Sequence, residues 1–292
     1  MFKLVALTFL FALASAKPQD VQSNRVVAQD NLEISEIGYE KIEAKPAPEV
    51  VNNDASYAYA VDFSVPTTLS QMNCLKTAKY SAIFVRGLAP TGSGVFDTNS
   101  ITTIRNAYSA GLGIEVYMTP QPLSTYQGYQ QFDLLYNGLT QNGITIRSVW
   151  IQVTSPANWQ SSTTSNVNFI NSIVSRAKQY GLTVGIYTNQ YDWSQITNSW
   201  ATLSSDVLLW YWHVLGSGVT GETPATFDDF RAFGSFRAAS VKQFAQVESL
   251  CSLTVNRDVY AVGIPAAAAA QKSSAFFTND SNNIVVGGVV GF

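Results

Sequence analysis

The 292-residue chain is 46% hydrophobic and 12% aromatic, enough apolar material for one large core, and its net charge is −3. Residues 17–54 hold four basic residues against eight acidic ones, and beyond them the two signs balance. A near-neutral folded part has no basic patch to neutralise phosphates, which argues against nucleic acid as a partner.

In chain order, Met1-Phe2-Lys3, the apolar run from Leu4 to Ala14 and Ala14-Ser15-Ala16 form a signal-peptide pattern with cleavage after Ala16. Residues 1–16 are therefore expected to direct secretion. The apolar run is about half the length of a membrane span, and no later stretch is long and uncharged enough to cross a bilayer, so no membrane is expected as a partner. The acidic segment 17–54, with Tyr39 as its one aromatic, is expected to be disordered or a pro-segment.

From Tyr57 onward, short β-rich apolar runs recur at 57–63, 82–86, 114–118, 149–153, 183–187, 207–212, 242–246 and 258–262. Helical spacing separates the earlier ones, as at 98–110 and at 167–180, where Gly181 is a stop. This alternation predicts an α/β domain over residues 55–263, a parallel TIM-like (β/α) barrel of about eight strands that becomes irregular after Trp212. Residues 264–292, with five alanines and a Gly/Val-rich end, are expected to be a poorly ordered tail, and Asn279-Asp280-Ser281 is a candidate glycosylation site on it. The strings at 91–95 and 215–219 read as turns, since neither has the spacing of a phosphate loop.

Cys74 and Cys251 are the two cysteines. In a secreted chain they are expected to form one disulfide closing a long loop, worth roughly 4–5 kcal/mol. With His213 as the single histidine, the chain offers neither a structural zinc set nor a Cys/His nucleophile, and no cofactor is expected.

In a parallel barrel the working residues stand at the C-terminal strand ends, and alternate residues face inward. Ala58, Ala60 and Asp62 share one face of the first run, so Asp62 is a candidate for the open mouth. Glu115, Tyr117 and Thr119 share a face of the third run, Trp150, Gln152 and Thr154 of the fourth, and Gly185, Tyr187 and Asn189 of the fifth. Glu115 sits early in its run and is expected to be a buried partner for an arginine such as Arg86. All six tryptophans lie between residues 150 and 212; Trp150, Trp159, Trp210 and Trp212 are candidates for stacking on sugar rings, while His213 reads as a packed side chain.

Taken together, Tyr59-Ala60-Val61-Asp62, Phe84-Val85-Arg86-Gly87, Val116-Tyr117, the run from Val149 to Thr154 and Gly185-Ile186-Tyr187-Thr188 resemble glycoside hydrolase family 25, more closely its nematode lysozyme-like members of the protist type. The resemblance covers residues 56–263. It implies five β/α units followed by three strands, and action on the N-acetylmuramic acid to N-acetylglucosamine linkage of bacterial peptidoglycan, in defence or in digestion of bacteria. The family's first-strand aspartate falls on Asp62, its cleft tyrosines on Tyr117 and Tyr187, and a late aspartate on Asp258. The Asp-x-Glu pair of its fourth strand, in which the Glu is the general acid, falls on Gln152 and Thr154, and neither side chain delivers a proton at neutral pH.

Glycoside cleavage needs two carboxyl groups across the scissile bond, so two readings stay open. In one, the protein is a glycan-binding barrel in which Gln152 and Thr154 hydrogen-bond sugar hydroxyls. In the other it is a muramidase that pairs Asp62 with Glu115, Asp192, Glu222 or Asp258.

Overall fold

The computed structural model describes residues 43–48, 56–262 and 283–290. Eight strands close on themselves: β1 (Ser56–Phe63), β2 (Ala82–Ala89), β4 (Gly113–Met118), β6 (Ser148–Gln152), β7 (Thr183–Thr188), β8 (Leu208–Trp212), β9 (Val241–Leu250) and β10 (Leu253–Val262). Two-residue β3 (Val95–Phe96) adds an antiparallel edge to β2, and β5 (Ile144–Ile146) stands outside the barrel. The helices α1 (Leu69–Thr77), α2 (Asn99–Ser109), α3 (Gly128–Thr140), α4 (Thr163–Gln179) and α5 (Gln190–Thr197) alternate with the first six barrel strands. Capping residues set several of these ends. Thr68 and Gln71 form a capping box on α1, Ser162 caps α4, and Gly181, at φ +74°, follows its last turn.

Strand alternation divides the apolar residues into two layers. On β1, Tyr59, Val61 and Phe63 point outward into the layer beneath the helices, whereas Ala60 points into the barrel with Phe84, Tyr117, Trp150, Tyr187 and Trp210. Trp210 is central to that interior, 4.2 Å from Tyr187 and 4.5 Å from Phe84 between ring centroids. The barrel is thus packed with aromatic rings below its mouth and is no pore. Gly185 is required there, because a Cβ would lie 2.1 Å from Cε3 of Trp150.

The final strand supplies the irregularity expected after Trp212. β10 runs antiparallel to both β9 and β1, while β1 and β2 pair in parallel to complete the circle. The cause is local: Cys251 and Ser252, the two residues between β9 and β10, have φ of 55° and 59°, the left-handed pair of a tight hairpin, which joins only antiparallel strands.

Cys74 on α1 and Cys251 in that hairpin form the expected disulfide, their Cα atoms 5.8 Å apart. No helix among the described residues is long and apolar enough to cross a membrane. Residues 1–16, expected to be a signal peptide, and the candidate glycosylation site at 279–281 lie outside the described residues.

Two boundaries move. Part of the segment expected to be disordered, residues 43–48, lies along the barrel: Ala44 N donates to Ser249 O at 2.6 Å and Ala47 N to Ala78 O at 2.9 Å, with both alanines buried. Part of the expected poorly ordered tail forms β11 (Ile284–Val286), which pairs in parallel with β5. An open strand edge is a row of unpaired donors and acceptors, and the Ile-Val-Val run satisfies that of β5. Val290 then enters the barrel interior at 1% exposure, closing the end opposite the mouth.

Candidate functional site

Asp62 stands at the C-terminal end of β1 on its inward face, where the sequence put it. Three side chains surround its carboxyl: Gln243 Nε2 donates at 2.6 Å, Asn256 Nδ2 donates at 2.9 Å, and Asp258 shares a hydrogen bond with it. Burial raises the Asp62 carboxyl to about 6 against the opposing pull of these bonds. Asp258, fully buried, is held well above the usual carboxylate range, first by burial and then by the charge of Asp62. Trp210 Nε1 donates to Asp258 Oδ1 at 2.9 Å, whereas its Oδ2 meets no hydrogen-bond donor among the described residues. A proton on Asp258 that is donated to Asp62 accounts for that oxygen and adds to the rise of Asp258, while it opposes the rise that burial imposes on Asp62.

The surrounding amides come from an irregularity. The β9–β10 register shifts around Asn256, opposite Val247, whose φ is 57°. This bulge aims Asn256 at Asp62, and Val247 N donates to Asn256 Oδ1 at 3.0 Å. Gln243 also accepts from Tyr187 OH at 2.9 Å. Gln243, Gln246 and Asn256 are site residues that sequence reasoning missed, since amides in a β-rich run carry no signal of their own.

At the end of β6 the Asp-x-Glu positions form a neutral chain. Thr119 Oγ1 donates to Gln152 Oε1 at 2.6 Å, and Gln152 Nε2 donates to Thr154 Oγ1 at 3.0 Å. By the hydrogen-bond inventory of these groups, one amide hydrogen of Gln152 and the hydroxyl hydrogen of Thr154 remain available to a ligand. Ser155, at φ 57°, and Pro156 turn the backbone sharply there, and Trp159 Nε1 fixes the Thr154 carbonyl at 2.9 Å.

Two adjoining spaces open above these groups. A cavity of about 30 Å³, room for a water or two, is bounded by Asp62, Arg86, Tyr117, Gln152, Tyr187 and Asn256. Beside it runs a groove of about 360 Å³ with apolar walls from Pro156, Ala157, Tyr191, Trp212 and Leu215, and with Thr154 and Asp192 at its polar points. Trp212 is held by a bond from its Nε1 to Asp192 Oδ2 at 3.1 Å.

Several expected roles change. Trp150 is only 1% exposed and donates from Nε1 to Glu115 at 3.0 Å, so it supports the mouth from below and cannot stack on a sugar, and Trp159 and Trp210 are likewise buried. Among the described residues Glu115 pairs with no arginine. It accepts from Ser148, Trp150 and the main-chain N–H of Val289 and Val290 near the closed end, and Arg86 pairs instead with Asp97 at 3.2 Å. Glu222 lies on the outward face with Arg257, 2.7 Å away. Of the four substitute acids, only Asp258 touches Asp62, and Asp192 faces the groove. His213 is not packed: its side chain is 49% exposed and bonds Asp229 at 2.5 Å.

A family model described as "Lysozyme-like protein 1" matches residues 53–244. The chain belongs to this lysozyme-like family. It is 80% identical over 297 residues to "Lysozyme-like protein 1" of Caenorhabditis elegans, covering the whole of both chains. It is also 30% identical over 201 residues to "Probable GH family 25 lysozyme 2" of Dictyostelium discoideum, covering 68% of this chain and 89% of that one. The bacterial lysozyme of Streptomyces coelicolor has the same barrel with a TM-score of 0.56 at 21% identity, over 71% of this chain and 93% of that one.

Proposed function

We propose that this lysozyme-like chain is a secreted protein that binds the glycan of bacterial peptidoglycan, in antibacterial defence or digestion of bacteria, without cutting it by the family's two-carboxylate route. The observation that carries this reading is the Thr119–Gln152–Thr154 chain. Where a proton-donating Glu would stand, these groups offer hydrogen bonds suited to sugar hydroxyls and no transferable proton. General acid catalysis is worth about two to four decades of rate, so its loss removes most turnover while leaving the groove intact.

One observation favours a second reading. Burial raises the Asp62 carboxyl to about 6, and the buried carboxyl of Asp258 beside it is held well above the usual range. A carboxyl in that state is poised to act as a lone acid in a muramidase.

The test is release of reducing ends from purified peptidoglycan by the mature protein and by Asp62→Asn, with a pull-down on the same material. Binding without turnover supports the first reading, and turnover lost in Asp62→Asn supports the second. Absence of binding overturns both. Sequencing the N-terminus of the secreted protein tests export, with Lys17 as the expected first residue or, if the pro-segment is removed, a residue before Tyr57.

A further inference from the structure

A second recess of about 660 Å³ lies behind the groove, and it enters none of the chemistry above. The two spaces share one wall, Tyr191 and Trp212, each of which borders both. Tyr191 is 50% exposed and Trp212 is fixed through Asp192, so this wall is an accessible ridge of stable shape. The far side has aromatic faces from Phe230 and Phe233 and polar groups from His213, Asp229 and Arg231.

The charges in this recess are unequally satisfied. Asp229 accepts from Tyr211 OH at 2.6 Å, from His213 Nδ1 at 2.5 Å and from buried Lys242 at 2.7 Å. Burial raises its carboxyl, but these bonds outweigh that and bring it to about 2, so it is a carboxylate whose charge Lys242 balances. Arg231 is the cation left over. Its Nη1 donates to two main-chain carbonyls, Asp228 O at 2.9 Å and Phe230 O at 2.7 Å, and among the described residues it forms no ion pair. A guanidinium held at the rim of an aromatic recess is built to receive a carboxylate on a partly apolar ligand.

We infer that this recess receives the carboxylate-bearing peptide stem of a peptide-substituted amino sugar whose sugar rings lie in the groove, the stem crossing the Tyr191–Trp212 ridge to meet Arg231. This inference rests on the peptidoglycan reading and refines it: the ligand is the peptide-bearing glycan, and the bare polysaccharide binds less well. The volume falls within the usual range of small-ligand sites.

The experiment measures affinity for two probes from one peptidoglycan preparation, soluble muropeptides and the same glycan stripped of peptide by an amidase. Wild type, Arg231→Gln and Arg231→Glu are compared. Arg231 is exposed and outside the groove, so both variants are expected to bind the stripped glycan as wild type does. Wild type is expected to prefer the peptide-bearing probe by about tenfold, the usual size of a charge-assisted contact. That preference is expected to vanish in Arg231→Gln and to reverse in Arg231→Glu. Equal wild-type affinity for the two probes, or a preference untouched by either variant, would overturn the inference and leave the glycan reading standing. Binding to neither probe would overturn both.

Discussion

Asp258 lies against Asp62 across the seam where antiparallel β10 meets β1, and above about pH 6 these two buried acids at the barrel mouth share one proton. Both carboxyls are raised above 3.8, chiefly by burial. The folded chain therefore keeps protons in weak acid that the unfolded chain has released. The stability from Asp62 is complete below about pH 4 and is lost as pH rises through about 6. Asp258→Asn preserves an acceptor for Trp210 and supplies a permanent donor to Asp62. Its melting temperature is expected to match wild type most nearly at about pH 4 and to exceed it at about pH 8 by about 2–4 °C for each kcal/mol recovered. Calorimetry across that range checks this, and a difference that does not grow with pH contradicts the shared proton.

Restoring the missing carboxyls should restore chemistry. Gln152→Asp with Thr154→Glu places an acid pair above a groove that is already formed, and is expected to raise release of reducing ends from peptidoglycan by about two to four decades. Adding Asp62→Asn should remove the gain. No gain in a folded, peptidoglycan-binding double variant would mean that the groove holds the glycan out of reach of β6.

The Cys74–Cys251 bridge spans 177 residues. A loop of that length restricts the unfolded chain by about 5 kcal/mol. Replacing both cysteines by alanine is expected to lower the melting temperature by roughly 10–20 °C, measured under oxidising conditions.

Glu115 depends on a distant segment, since Val289 N and Val290 N donate to it at 2.7 and 3.2 Å. Deleting residues 283–292 leaves a buried carboxyl short of two donors, at a cost of about 1–3 kcal/mol for each group left unsatisfied. The melting temperature is expected to fall, and to fall further at about pH 8 than at about pH 5, because burial already raises this carboxyl and its charged form suffers most from the loss. Glu115→Gln in the truncated chain should remove that added pH dependence.

The eight barrel strands were legible because each is a short β-rich run whose period survives burial, and Asp62 was legible because a carboxylate in an apolar strand needs a reason. The direction of β10 was not, since it depends on the backbone of Cys251 and Ser252, to which glycine-based turn signals are blind. The partner of Glu115 was misread for a related cause. Arg86 is close to it in strand order, but the donors that satisfy Glu115 include main-chain amides some 170 residues away, which leave no mark in a side-chain pattern. Gln243 and Asn256 became visible only once the bulge had turned Asn256 toward the mouth.

The seam has a kinetic consequence. Strands β1 and β10 are separated by nearly the whole barrel, so among the described barrel strands theirs is the pairing of highest sequence separation and the most expensive to close by chance encounter. Asp62 and Asp258 ride on these strands and meet only when that encounter succeeds, while Cys74 and Cys251 tie the same seam from outside. Oxidised chain, which begins its search already tethered, should refold faster than reduced chain. In weakly buffered solution near neutrality, the moment of closure should be marked by uptake of a proton from the solvent.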